Sequence, residues 1–460
     1  MFSAIRNHIS RGIDTLKKSF LQQEGLPFND ILSQEHLQHI VLEEVGEYRD
    51  RVYPPMVTLA AFISQVLDED HSCRGAVARV RADLVAREET PCSAATGAYC
   101  KARIKLPENL IWRVMRETGQ NLHESSETIW KWKGRNVILT DGTTVSLPDT
   151  PENQEAFPQP DSQEPGIGFP IIRMVGLISL SSGSVLDLAL GPYQGKETGE
   201  HALLRQILGT ISPGDVVLAD RYYCSYFLIA QLKAMGVEVV FQNHASRQSD
   251  FRRGKRLGKH DHLVTWNKPQ CPAWMDKKTY QAMPQTLTVR EVKNKKMVIV
   301  TTFLEPKIVS RKEIIDLYSK RWNVEIDLKF IKEILQMDIL RCQTPQMVRK
   351  EIGVHLLAYN LIRTVMAQAA CLYKLSPREI SFKGAIQSLN AFRDKILLLP
   401  ERTTELYEAL LQGIASHRIG NRPGRSEPRA VKRRSKPFPR LTEPREIARS
   451  RLVPIGGVPA

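Results

Sequence analysis

"VILTDGTTVSLPD" (residues 137–149) is where this chain changes character. An apolar, β-branched run ends at an acid, Asp141. A glycine follows, and then more β-branched residues. This pattern predicts a strand, a glycine turn and renewed strand. Further along, "IIRMVGLISL" and "SVLDLALG" read as two more strands joined by "SSG", a hairpin signal. "EHALLRQILGTI" has the apolar spacing of an amphipathic helix, and "DVVLAD" is a short buried strand that again ends at an acid, Asp220. "YFLIAQLKAMG" is a helix stopped by Gly236, and "VEVVFQ" is one more strand. Three strands, helix, strand, helix, strand: the order predicts a mixed α/β domain.

Before this region the chain reads as helical. "FNDILSQEHLQHIVLEEV" and "PENLIWRVMRETGQNLHE" set apolar residues three and four apart. Between them "TPCSAATGAYCKARIKLP" reads as a loop-like insert of small and then basic residues. After it, from about Asn243 to Pro306, the composition shifts again. "NHASRQSDFRRGKRLGKHDH" is basic and polar, whereas "QTLTVREV" and "KMVIVTTFL" alternate like a hairpin. This is read as an insertion with β character. From Val309 to about residue 415 the pattern is helical. No internal repeat is visible.

Composition narrows the function. The chain has 460 residues, 42% of them apolar, which allows two or three domains and a substantial core. Its net charge is +15, with a pI near 9.5, and this favours a polyanionic partner, most simply nucleic acid, or an anionic membrane surface. A basic but otherwise ordinary enzyme is the alternative. Charge is unevenly spread: residues 1–130 hold 15 Lys/Arg and 18 Asp/Glu, but residues 418–451 hold 12 Lys/Arg and three Asp/Glu. The five prolines of that last stretch resist regular structure, so it is read as an extended basic arm that tracks phosphates, or else as a solvated tail. The apolar segment "HLLAYNLIRTVMAQAACLYKL" is interrupted by Arg363, so no membrane span is expected. The first residues lack an apolar secretory core, and a cytoplasmic location is expected. Seven scattered cysteines without a CxxC pair argue against both a disulfide framework and a zinc site.

"YSKRWNVEIDLKFIK" (Tyr318–Lys332) gathers many charges in one short helical stretch. On a regular helix at about 100° per residue, Tyr318, Arg321, Glu325 and Lys332 share one narrow face, whereas Glu313, Asp316 and Asp327 point the other way. A charged stripe can also be simply a wet face. Asp141 and Asp220 add to it, since carboxylates at strand ends can be held close together although far apart in sequence. Several such carboxylates around one point repel unless a cation neutralises them, and an all-oxygen set favours magnesium or manganese. Read separately, Asp141 could be a turn residue and Asp220 a helix N-cap.

The spacing Tyr-x2-Arg-x3-Glu-x6-Lys at Tyr318, Arg321, Glu325 and Lys332 resembles, without a gap, the signature helix of DDE transposases of the insertion-sequence four family. That group includes the transposon-five and transposon-ten transposases. "LTDGTTVSLPD", "VVLADRYY" and "CSAATGAYCKARIKLP" look like further segments of that family. The resemblance implies an α/β fold: a ribonuclease H-like catalytic domain at 131–370 with a β-rich insertion at about 243–306. It would be flanked by a helical DNA-binding region at 1–130 and a helical C-terminal region with its basic tail at 371–460. By resemblance, Asp141, Asp220 and Glu325 match the metal-binding triad, which would hold two Mg2+ (or Mn2+) ions. Tyr318, Arg321 and Lys332 match positions that contact transposon-end phosphates. A metal-activated water would then cut the element's end, and the freed 3′-OH would attack the opposite strand as a hairpin and finally target DNA. The partners implied are double-stranded DNA, at the transposon ends and at the target, and a second copy of the chain in a synaptic homodimer. The setting implied is the bacterial nucleoid. Trp266 and Trp274 are candidates for stacking a flipped base, with packing as the other reading.

Weaker signals remain. "GPYQGKETGEH" fails as a phosphate loop, because its spacing is one short and Glu197 follows Lys196. His260 and His262 read as part of a surface loop rather than a metal site. Arg221, beside Asp220, could bind DNA or pair with that carboxylate. The rival functions are a ribonuclease H-like nuclease without strand transfer, and an inactive or domesticated sequence-specific DNA-binding protein.

Overall fold

The turn expected at Asp141–Gly142 does not form. In the computed structural model, which describes residues 27, 29–48, 52–295, 297–420 and 442–451, strand β1 (Val137–Ser146) runs straight through both residues. Asp141 lies opposite Gly176 of β2 (Ile171–Ser179) in a continuous antiparallel ladder. Gly142 is there for close approach rather than for a turn: a Cβ at this position would collide with the side chain of Glu200. β3 (Val185–Pro192) completes the expected hairpin, and β4 (Val216–Ala219) and β5 (Glu238–Gln242) add to β1 in parallel.

The insertion is built onto this sheet. It contributes β6 (Lys255–Gly258), β7 (Asp261–Asn267), β8 (Thr286–Asn294) and β9 (Met297–Thr301). β9 pairs antiparallel with β5, giving one nine-stranded sheet in the order β3-β2-β1-β4-β5-β9-β8-β7-β6. The β8–β9 hairpin was expected, but β6 and β7 were not. The basic, polar residues leading into them look like a loop, yet β6 is the edge strand, where such residues are tolerated, and β7 lies between it and β8. The surface-loop reading therefore fails for His262. It is fully buried in β7, with Nε2 3.1 Å from Glu291 Oε2 and the Phe251 ring stacked on it at 4.4 Å. His260 does sit in a turn, with a φ of 58°.

Helices cover both faces of the sheet. The N-terminal ones are α1 (Gln34–Val45), α2 (Pro55–Val66), α3 (Cys73–Ala86), α4 (Gly97–Lys105) and α5 (Glu108–Glu124). α4 replaces half of the expected loop-like insert. Its Tyr99 and Arg103, four residues apart, both donate to Gln65 Oε1 of α2, at 2.8 and 3.1 Å. The buried Lys350 holds its last turn by donating to the Ile104 carbonyl at 2.8 Å. Within and after the sheet come α6 (Pro151–Ala156), α7 (Glu200–Ile207), α8 (Tyr226–Ala234), α9 (Lys277–Ala282), α10 (Arg311–Ser319), α11 (Asn323–Lys329) and α12 (Pro345–Leu372). The last are α13 (Phe382–Leu398), α14 (Thr403–Ser416) and α15 (Arg445–Ser450).

One apolar cluster runs from Leu32 to Ala415 and joins the N-terminal helices, α12 and the C-terminal helices to one face of the sheet. A second, around α7, α8 and part of the insertion, covers the other face. β1 alternates between them: Leu139 and Val145 enter the first, Ile138 the second. Asp141 and Thr143 therefore share the first face, and Gly142 the second. All seven cysteines are free. Among the described residues no helix is long and apolar enough to cross a membrane. Residues 1–26 of the expected helical region and 421–441 of the expected basic arm lie outside the described residues.

Candidate active site

The signature stretch is not one regular helix. α10 begins with a capping box between Ser310 and Glu313 and ends at Ser319. A 3-10 turn (Lys320–Trp322) follows, then α11, then a π turn (Phe330–Ile334). A constant 100° per residue therefore does not describe it. Three of the four side chains nevertheless reach the sheet, on β1 or β5, and the fourth, Glu325, is held by Arg321. Tyr318 is buried, and its hydroxyl donates to Gln242 Oε1, at the end of β5, at 3.3 Å. Arg321 Nη2 donates to Glu325 Oε1 at 2.7 Å, and its Nη1 lies 3.5 Å from Asp141 Oδ2. Lys332, inside the π turn, donates to the Thr144 carbonyl at 2.8 Å and to Thr143 Oγ1 at 3.2 Å, both on β1.

Asp220 follows the last residue of β4 and caps a 3-10 turn, its Oδ1 accepting from the Tyr222 amide at 2.8 Å. Asp141 Oδ1 accepts from the Gly142 amide, also at 2.8 Å. Burial pushes the Asp141 carboxyl up to about 6; the Gly142 amide opposes this, the nearby Asp220 charge adds to it, Arg321 opposes and Glu200 adds. Burial would lower the Arg321 guanidinium, but the Glu325 hydrogen bond and the surrounding anionic groups hold it above its ordinary value.

The other two predicted residues are Arg221 and Trp266. Arg221 is exposed in the turn that Asp220 caps. Trp266 is half-buried on β7, and the Arg247 guanidinium covers its ring at 3.5 Å from the centroid. Trp274 is the more open of the two tryptophans at 38% exposure, with Arg205 stacked on it at 3.9 Å.

Sequence reading missed Gln242 and Glu200. Gln242 ends a strand beside β4, a signal no stronger than for any strand-end amide. Glu200, at the start of α7, lies in the failed phosphate loop, and nothing in its spacing marks it. Its Oε2 accepts from the Tyr223 hydroxyl at 3.1 Å, and burial raises its carboxyl, with the Asp220 charge contributing in the same direction.

The donor set tells which cation would suit this edge. Asp141, Asp220 and Glu325 offer only carboxylate oxygens, which fit a hard divalent ion and not a soft one. Here the Arg321 guanidinium stands between Glu325 and Asp141, and among the described residues no group of three or more His, Cys, Asp or Glu is drawn tightly enough to hold a metal. The chemistry of the set fits; the third carboxylate is tied to the arginine.

Comparison with known proteins defines the class. The family model described as Transposase DDE domain matches residues 132–361, half of the chain. Transposase InsG for insertion sequence element IS4, from Escherichia coli (strain K12), is 26% identical over 443 residues, spanning 94% of this chain and 98% of that protein. A piggyBac transposase synaptic complex with hairpin DNA covers 90% of this chain and 87% of its own at 10% identity, with a TM-score of 0.40, too low to bear on the fold. The chain belongs to the DDE transposases, in the branch of insertion sequence IS4. It is a DNA transposase, an enzyme whose partner is DNA, and its family generally works with divalent metal ions.

Proposed function

We propose that this transposase binds the terminal inverted repeats of its insertion sequence, cleaves the ends and joins the 3′-OH ends to target DNA, with Asp141, Asp220 and Glu325 as its metal-binding carboxylates. The observation that carries this reading is the Arg321 guanidinium, shared between Glu325 at 2.7 Å and Asp141 at 3.5 Å. It joins two acids 184 residues apart in sequence at the edge where Asp220 also lies. The catalytic region, 131–370, is a ribonuclease H-like domain with its insertion at about 243–306; 1–130 serves DNA binding, and 371–460 is the C-terminal region.

Two Mg2+ (or Mn2+) ions, when bound, supply activation of the attacking oxygen and stabilisation of the leaving one. The chain's own residues do the rest. Asp141, Asp220 and Glu325 hold the cations. Arg321 and Lys332 bind end phosphates as fork and point charge. Tyr318 donates its hydroxyl to a phosphate oxygen, its buried ring fixing the direction. Burial of Tyr318 excludes water around its ring. Arg221 contacts the DNA backbone, Trp266 stacks a displaced base, and two copies of the chain pair the two ends on nucleoid DNA.

The test is Mg2+-dependent cleavage of a duplex carrying the element's own terminal repeat, comparing the natural chain with Glu325→Gln. Products are resolved on native and denaturing gels to reveal hairpins. Cutting by the natural chain, with binding but no cutting by the variant, is expected. Equal cutting by both would remove Glu325 from the site.

A further inference from the structure

The side of α11 turned away from Glu325 carries a second carboxylate. Asp327 comes two residues later, about 200° around the helix, and is wholly buried. Its Oδ1 accepts from Arg363 Nη2 at 2.6 Å and from the Tyr359 hydroxyl at 3.0 Å, both on α12. Arg378 Nη1 reaches both of its oxygens, at 2.7 Å each. Arg378 belongs to the 3-10 turn Pro377–Glu379 and also donates to the carbonyls of Leu180 and Ser179, at 2.8 and 2.7 Å, where β2 turns toward β3. In the same turn Gly183, at a φ of 81°, makes room for the Arg363 guanidinium: a Cβ there would lie 2.7 Å from its Cζ. A single carboxylate thus ties α11 to α12, to the turn after α12 and to the β2–β3 turn.

Stability alone does not account for this network. A buried ion cluster is often no more stable than well-packed apolar side chains of the same volume. It differs from them in direction, because hydrogen bonds from two arginines fix the carboxylate's orientation and hence the roll of the helix that bears it. A roll of about 10° moves a carboxylate ~6 Å from the helix axis by about 1 Å. Misplacement of that size costs roughly 100-fold in rate.

We propose that Asp327, held by Arg363 and Arg378, is a positioning residue that sets the roll of α11 and so presents the Glu325 carboxylate toward Asp141. This rests on the reading of Glu325 as a catalytic carboxylate.

The test uses the full chain, Mg2+ and end-repeat duplex, and reads single-turnover cleavage, end-DNA affinity and melting temperature. Asp327→Asn keeps the shape and removes the charge. Leu410→Ala, a cavity in the core of α14, serves as a control that lowers the melting temperature without removing a polar group of the network. Asp327→Asn is expected to slow cleavage by roughly 100-fold with unchanged DNA affinity, while Leu410→Ala cuts at the natural rate below its melting temperature. If Asp327→Asn does not fold, Arg378→Lys decides: it keeps the charge, loses the two-directional fork, and is expected to slow cleavage about 10-fold. Cleavage by these variants matching the Leu410→Ala control would overturn the positioning role. Glu325→Gln runs alongside. If it is inactive while Asp327→Asn cuts like the control, only the positioning role falls; if Glu325→Gln itself cuts normally, the site reading falls and this one with it.

Discussion

The Cα of Gly142 stands against the carboxylate of Glu200, so closely that a Cβ there would lie 2.4 Å from its Cδ and 2.5 Å from its Oε1. The Tyr223 hydroxyl holds the other oxygen of that carboxylate at 3.1 Å. Gly142→Ala must therefore displace Glu200 or β1, at a cost of about 1–3 kcal/mol. Urea denaturation of the single and double variants checks this, because Glu200→Ala should recover most of the loss in the Gly142→Ala background. Simply additive losses would mean that this contact is not what requires glycine.

Lys332 reaches β1 from the π turn and is proposed to grip an end phosphate. Lys332→Met should weaken binding of end DNA and reduce the salt dependence by about one unit of slope in log Kd against log salt. A salt series with natural and variant chains measures it. An unchanged slope would take Lys332 off the phosphates.

The insertion is tied to the start of α10 through a fully buried pair. Arg290 Nε and Nη2 meet Asp261 at 2.8 and 2.6 Å, and Arg290 Nη1 donates to the Val309 carbonyl at 2.7 Å. Asp261→Ala leaves that guanidinium without its counter-charge and should cost about 3–5 kcal/mol. Chemical denaturation gives the value. A loss under about 1 kcal/mol, the size of an exposed pair, would show that water reaches the site.

Two buried histidines make stability fall in acid. Burial pushes His355 down to about 3 and His123 down to about 4, from an ordinary value near 6.5. Between those folded values and 6.5 the unfolded chain binds protons that the folded chain does not. Stability is thus fully present above about pH 6.5 and declines as pH falls through the window, by up to about 1.4 kcal/mol per pH unit for each histidine. His355→Leu should flatten this slope between pH 4 and 6, as measured by denaturation at fixed pH. An equally steep slope in the variant would assign the acid sensitivity to other groups.

The sheet's first five strands and their helices were legible because apolar alternation and amphipathic spacing are strong local signals there. The spacing from Tyr318 to Lys332 marked Arg321 and Lys332, which now reach β1, and Tyr318, which reaches β5. What could not be read depended on distant partners. Tyr99 and Arg103 are helical because Gln65 receives both, and nothing within 97–105 says so. β6 and the start of β7 are polar in sequence, yet His262 and Asp261 are buried there because Glu291 and Arg290 of β8 bond to them. Glu200 joined the acidic edge only once the sheet had brought α7 beside Gly142.

The pairing of β9 with β5 has a mechanical consequence. Val240, Phe241 and Gln242 face Thr301, Val300 and Ile299 in an antiparallel ladder, so the β-rich segment is a continuation of the catalytic sheet and not a lobe on a hinge. It cannot swing over DNA on its own without unzipping that ladder. Any displacement of its far strands would pass along the backbone hydrogen bonds to β5, where Gln242 accepts from the Tyr318 hydroxyl at the first residue of the signature.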